Sequence, residues 1–227
     1  MSIAKNLTQI KSQLPNHVTL VAVSKTKPVS DLMEAYNAGQ RIFGENKIQE
    51  MTEKWEQMPK DIEWHMIGHV QTNKVKFMAE YVSLIHGVDS LKLLEEINKQ
   101  AKKHNRVINC LLQIHIAEEE TKFGLNEEEL NAILSSEDFK NLENIQIVGL
   151  MGMATFTENT AQIEKEFKHL KSIFDTIRRD AINRVSIQNT DFTILSMGMS
   201  GDYQLAISCG STMVRIGSSI FGNRNYQ

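Results

Sequence analysis

Several features are scarce in this 227-residue chain, and each scarcity removes a class of protein. Nowhere do about 18 apolar residues run together, the length a membrane-spanning helix requires, so no membrane association is expected. The opening "MSIAKNLTQIKSQL" is amphipathic and has neither the continuous apolar stretch nor the small-residue cleavage site of a secretory leader. A soluble, cytoplasmic protein is expected. Cysteine is limited to Cys110 and Cys209, which sit far apart in apolar contexts without a C-x-x-C or zinc-ligand spacing, so buried free thiols are expected. Charge of one sign is also missing. Twenty-five basic against 28 acidic side chains leave a formal charge of −3, which provides no general drive toward nucleic acid or anionic membranes. No low-complexity linker divides the chain, and its length suits one α/β barrel, so residues 1–227 are read as a single domain.

What is present is an alternation of strand-like and helix-like segments. The strand candidates are 18–25, 41–46, 62–69, 83–89, 108–117, 145–154, 192–199 and 212–219. Between them lie stretches with helical apolar spacing, such as "VSDLMEAYNAG", "LKLLEEINKQAKKH", "NEEELNAILSS" and "IEKEFKHLKSIFDTIRR". Eight strand-then-helix repeats predict an α/β fold of the (β/α)8 TIM-barrel class. An open doubly wound sheet is the alternative, but it usually carries a glycine-rich loop after its first strand, and "VSKTKP" has no glycine.

Barrels of this class do their chemistry where strands end on the C-terminal face. That rule collects Lys25, Glu45, Asn46, His69, Asp89, His115, Ser200 and the run Gly217–Ser218–Ser219. Strand alternation puts Lys25 on one face with Val21 and Val23, and Gly217 on one face with Met213 and Arg215. If both faces point inward, Lys25 and Arg215 share a chamber. "SMGMSGD" and "RIGSSIFG" follow the last two strands, where barrels often hold a phosphate with glycine-rich loops and helix N-termini. Ser200 offers a hydroxyl there, and Gly217 and Ser218 offer N–H groups. Each feature alone has a plainer reading: serines and glycines make turns, and a lysine can simply mark where a strand meets water. Together, a phosphate site and a strand-end amine point to a Schiff base with pyridoxal 5′-phosphate (PLP). A lysine amine is nucleophilic only when deprotonated, a state favoured by an apolar wall and a neighbouring cation such as Lys27 or Arg215. Lys27 itself precedes Pro28 and is expected to be solvated or to contact an anion.

"VAVSKTKP", "GQRIFGENKIQE", "EWHMIGHVQTNK", "GLMGMAT" and "SMGMSGDYQLAISCGSTMVRIGSSIFG" resemble the YggS/PROSC family, the pyridoxal phosphate homeostasis proteins, from about residue 18 to 224. The resemblance implies one barrel like the N-terminal domain of alanine racemase, with PLP held as an imine on Lys25. It also implies phosphate binding by Ser200 and by the backbone of Gly217 and Ser218, with Arg215 facing the pyridine nitrogen and Asn46 near the ring. An arginine there keeps the nitrogen unprotonated, because a second positive charge beside a guanidinium is disfavoured. Racemases built this way add a tyrosine acid/base from a further β-domain, for which a chain ending at Gln227 has no room. Tyr36, Tyr81, Tyr203 and Tyr226 lie in helix-like stretches or the tail, with no evident reason to face the cofactor. The expected role is therefore PLP holding and homeostasis, by a monomer that delivers to apo PLP-dependent enzymes, with an amino-acid racemase as the alternative. A metal-dependent barrel hydrolase also deserves comparison, given His65, His69, His86 and His115, but the first strand has no H-x-H and no metal is expected.

Overall fold

A computed structural model of the chain describes residues 2–118, 123–183 and 192–222. Eight parallel strands close into a barrel in chain order, each paired with its sequence neighbours and the first with the last. They are β1 (Thr19–Val23), β2 (Ile42–Glu45), β3 (Glu63–Met66), β4 (Val82–Val88), β5 (Ile108–Gln113), β6 (Ile145–Met151), β7 (Ile194–Ser196) and β8 (Met213–Ile216). Closure rests on the β1–β8 ladder, which aligns Val21 with Arg215 and Ala22 with Ile216.

Several of the helices start at a side-chain cap. Ser2 caps α1 (Ile3–Gln13), which crosses the barrel's closing seam, by accepting from the Lys5 N–H. After β1 and β2 come α2 (Val29–Asn37) and α3 (Ile48–Gln57). A 3-10 turn (Thr72–Phe77) replaces a full helix after β3, and Ser90 caps α4 (Leu91–Lys103) after β4. A capping box between Asn126 and Glu129 starts α5 (Glu127–Ser135), followed by the short α6 (Glu137–Lys140). The long α7 (Thr160–Asn183) precedes β7, α8 (Tyr203–Ser208) bridges β7 and β8, and α9 (Ser218–Phe221) follows β8. Among the described residues no helix is long and apolar enough to cross a membrane.

The strands sort their side chains by alternation. Outward residues such as Leu20, Phe43, Trp64 and Ile85 join the helices in one large core. Inward residues Val21, Leu84, Leu111, Val148, Met151 and Met213 form a second, smaller cluster that plugs the lumen. Two positions further along four strands the lumen turns polar, with His86 after Leu84, Gln113 after Leu111, Ser196 after Ile194 and Arg215 after Met213. An apolar floor beneath a polar chamber follows directly from the period of two.

All eight strand candidates are strands, but their C-terminal ends were drawn one to four residues too far. The reason is burial beyond the ladder: Met197 and Ile114 leave the strands yet stay buried, so the apolar signal outlasts the pairing. Glu45 departs from expectation. It lies on the outward track with Phe43, buried against α3, where its carboxylate meets Lys54 at 2.7 Å instead of facing the barrel mouth. Desolvation raises its pKa, opposed by Lys54. The two cysteines are free and buried, as their contexts suggested, and burial pushes the Cys110 thiol up.

One glycine decides whether the barrel can close. A Cβ on Gly149 of β6 would stand 1.7 Å from the Ile194 carbonyl oxygen of β7, inside any permitted contact. Gly149→Ala should therefore lower the urea midpoint steeply or leave no folded protein, by about 3 kcal/mol or more. Gly201→Ala, where nothing lies within 4 Å of the added carbon, should leave the midpoint unchanged. Circular dichroism during urea titration reads both.

Candidate functional site

The polar chamber opens into a cavity of about 610 Å³ at the C-terminal mouth of the barrel. Its wall includes Lys25, Asn46, Ser200, Arg215, Gly217 and Ser218, so all six residues singled out from the sequence converge on one space. Val23, Ile67 and Met153 supply apolar surface between them. His69 lines the same cavity, stacked on Phe123 at 4.3 Å and 3.5 Å from the Asp89 carboxylate. His115, collected by the same strand-end rule, is not among the lining residues.

Local backbone explains how these side chains arrive. Lys25 lies two residues past the end of β1, in a turn closed by the Lys27 N–H donating to the Ser24 carbonyl. Asn46 follows β2 directly, packed against Gly68, where an added Cβ would come within 2.5 Å of the Asn46 carbonyl oxygen. The loops after the last two strands come together: the Gly217 N–H donates to the Ser200 hydroxyl at 3.2 Å. The first turn of α9 also presents N–H groups that no helical carbonyl can reach. Lys27, expected to be solvated or to contact an anion, is half-buried. It lines the cavity but donates to the Phe221 carbonyl at 2.8 Å, closing the C-terminal end of α9.

Arg215 is the buried cation of the chamber. Its guanidinium donates to the Ser196 carbonyl at 2.9 Å, the Ser196 hydroxyl at 2.7 Å and the Gly152 carbonyl at 3.2 Å. Burial lowers its pKa to about 10, with Asp202 acting the other way, so it stays protonated at neutral pH. Beneath it, the Ser196 hydroxyl meets His86 Nδ1 at 3.1 Å, and His86 Nε2 meets His65 Nδ1 at 3.1 Å. A hydroxyl that accepts from Arg215 can donate to His86, and a neutral His86 can then donate from Nε2 to His65. Burial holds both rings neutral: His65 is lowered to about 3, and His86 falls well below the usual range through burial, His65 and Arg215. These lumen histidines bond to each other and to Ser196. Among the described residues no three His, Cys, Asp or Glu side chains gather as metal ligands would.

Some cavity residues escaped the sequence reading. Gln113, which donates to the Phe123 carbonyl at 2.9 Å, was legible from the inward track of β5. Ser196, buried beneath the cavity between His86 and Arg215, was legible in the same way on β7. Thr155, Phe156 and Ile163 reach the cavity from the β6–α7 connection and from α7, and no motif marks them. Asp202 sits within "SMGMSGD", where its carboxylate accepts the Met199 N–H at 2.6 Å and braces the Ser200 loop.

The family described as alanine racemase, N-terminal domain, matches residues 1–225. The chain is 38% identical to a pyridoxal phosphate homeostasis protein of Haemophilus influenzae, covering 100% of this chain and 98% of that one. It is 35% identical to the pyridoxal phosphate homeostasis protein of Escherichia coli K12, over 99% and 97% of the two chains. Among solved structures, PipY of Synechococcus elongatus PCC7942 superposes with a TM-score of 0.89 without PLP and 0.87 with PLP bound. Both are 35% identical and cover 97% of this chain and 100% of PipY. An alanine racemase of Clostridium difficile 630 superposes with a TM-score of 0.76 over 100% of this chain and 57% of the enzyme. At 17% identity that likeness is one of fold.

The neutral histidines make stability depend on pH. Folded, His65 and His86 carry no proton charge, whereas in the unfolded chain each takes up a proton below about pH 6.5. Their contribution is complete above that pH and is lost as the pH falls toward 3, at about 1.4 kcal/mol per pH unit for each ring. Urea titrations between pH 6 and 4 should show this slope, and His86→Gln should reduce it by about 1.4 kcal/mol per pH unit. An unchanged slope would mean that His86 is charged in the folded chain.

Proposed function

The chain belongs to the pyridoxal phosphate homeostasis protein family, built on the barrel of the alanine racemase N-terminal domain, and from that premise we propose that it binds PLP at the barrel mouth and holds it on Lys25 as a Schiff base. The observation that carries this reading is the convergence of an amine, a buried guanidinium and a two-loop donor set on one cavity. That donor set fits the chemistry of the ligand: an amine for an aldehyde, a cation for a ring nitrogen and N–H and O–H donors for a phosphate. Bound there, PLP supplies an aldehyde that condenses with primary amines and a ring that withdraws electrons.

Each residue has a task in this reading. Lys25 presents its amine against the apolar surface of Val23 and Ile67. Ser200, Gly217 and Ser218 donate to phosphate oxygens, Gly217 by turning its N–H from the Ser200 hydroxyl to the anion. Arg215, held from behind by Ser196 and Gly152, turns a fixed positive charge toward the ring nitrogen and disfavours its protonation. Asn46 lines the ring's flank. Residues 1–227 act as one PLP-binding domain, working as a monomer in the cytoplasm, where a reducing milieu suits two buried free thiols.

The role proposed is holding and delivery of the cofactor to apo PLP-dependent enzymes, without sustained amino-acid turnover. It is supported by where the described tyrosines lie. Tyr36 bonds Asp61, Tyr81 bonds Thr52 and Tyr203 bonds Gln13, so none of these hydroxyls is offered to the cavity as a second acid/base. Tyr226 lies outside the described residues.

Loaded with PLP and treated with borohydride, the protein should carry a reduced adduct on Lys25, and Lys25→Ala should lose it. The unreduced protein should pass PLP to an added apo-enzyme. Multiple turnovers on any common amino acid at about 1 per second or above, the low end of enzyme rates, would instead make it a racemase or transaminase. A second measurement addresses the phosphate loops. Ser200→Ala removes a hydrogen bond to a charged oxygen worth roughly 1.5–3 kcal/mol, so PLP affinity should fall about tenfold to a hundredfold. Affinity for unphosphorylated pyridoxal should hardly change, and equal losses for both ligands would remove Ser200 from the phosphate site.

A further inference from the structure

On the far side of the barrel wall from the cavity, three charged residues grip the turn that carries Lys25. The buried Glu45 of β2 accepts the Ser24 hydroxyl at 2.6 Å and the Lys54 ammonium at 2.7 Å through the same oxygen. Lys54, on α3, also donates to the Ser24 carbonyl at 2.8 Å and to Glu50 at 2.7 Å. The same oxygen of Glu50 takes the Thr26 N–H at 2.6 Å. Both neighbours of Lys25 are thus tied to one cluster, Ser24 through its hydroxyl and carbonyl and Thr26 through its amide.

The turn needs such a grip. Thr26 has φ +65°, one of two non-glycine residues described with a positive φ. A β-branched side chain is costly in that region, which turns of this kind normally fill with glycine or asparagine at their third position. Local propensity therefore opposes the conformation, and contacts from β2 and α3 impose it. A buried ion pair is also a poor way to stabilise a wall that apolar side chains could fill, which directs attention to what the pair holds in place.

We infer that Glu45, Lys54 and Glu50 are positioning residues for Lys25, clamping the Ser24–Lys27 turn so that the lysine amine meets the aldehyde carbon of a bound ligand. The inference rests on the proposed role of Lys25. In that step the unprotonated Lys25 nitrogen adds to the aldehyde carbon, one water leaves, and a C=N bond remains, with nothing oxidised or reduced. The clamp touches neither the ligand nor the phosphate loops, so it should govern how fast the bond forms and not how well a phosphorylated pyridine binds.

The test uses Glu50→Gln, which keeps the buried Glu45–Lys54 pair and changes a partly exposed side chain. In the ligand-free protein, the Thr26 amide should exchange with deuterium faster. On mixing with PLP, the borohydride-fixable adduct should form about tenfold more slowly, the order of loss expected when a reacting group is misplaced by less than an ångström. Affinity for pyridoxine 5′-phosphate, which has no aldehyde, should stay within about twofold of wild type, since the hydrogen bonds of Glu50 run to Thr26 and Lys54 and not to Ser200, Gly217, Ser218 or Arg215. Adding Thr26→Gly, which takes a positive φ without penalty, should restore much of the adduct rate. Unchanged adduct kinetics in Glu50→Gln, an equal loss of pyridoxine 5′-phosphate binding, or no recovery on adding Thr26→Gly would each overturn the positioning role. Lys25→Ala in the wild-type background separates the two readings: an adduct that persists there removes Lys25 itself, and the clamp's purpose with it.

Discussion

A closed parallel barrel leaves its strands only two directions for side chains, and the rest of this protein depends on that restriction. Residues alternate between a lumen with no exit sideways and a shell covered by helices. Because the lumen is closed, its lower half must be filled, and Val21, Leu84, Leu111 and Met213 fill it. Two residues higher, β4, β5 and β8 turn polar with His86, Gln113 and Arg215, joined by Ser196 of β7, and Gln113 and Arg215 line the cavity above. The cavity exists because the floor is solid.

The chamber carries a buried positive charge without a carboxylate bonded to it among the described contacts, and such a charge must be held by dipoles. Arg215 finds two carbonyls and a hydroxyl, and that hydroxyl is backed in turn by two neutral histidines. A serine that accepts from a guanidinium keeps its own proton, so it can donate to His86 Nδ1 and leave the His86 Nε2–H to donate to His65. The result is a cation whose direction is set from below, with its open side toward the cavity.

The two faces of the wall divide the work. Inside, Lys25, Asn46, Ser200 and Arg215 line the cavity from the ends of β1, β2, β7 and β8. Outside, Glu45 and Lys54 sit in the helix-covered layer, yet they act on the same β1 turn through its backbone. One strand end is thus addressed from both sides, its side chain by the cavity and its main chain by the charged cluster. That arrangement allows a threonine to remain at φ +65°, where its own preference would carry the turn elsewhere.

Much of this was legible in the chain itself. Strand periodicity with helix-like spacers pointed to the barrel, and the period of two put Lys25 on one face with Val21 and Val23 and Gly217 on one face with Arg215; that both faces line one cavity was decided by the closed sheet. Glycine and serine after the last two strands marked two loops that both line the cavity. Tertiary structure decided what periodicity cannot carry across elements. Glu45 was one residue from Asn46 and looked like a second cavity group, but a one-residue step reverses the face, and only the barrel's register settles which of the two turns inward. Lys54 and Glu50 lie on a helix, with nothing in their spacing to indicate that they reach a turn 24 to 30 residues earlier. The pairing of His65 with His86, and of His86 with Ser196 110 residues away, depends on how eight strands are staggered around a common axis, a property of the closed sheet and of no segment within it.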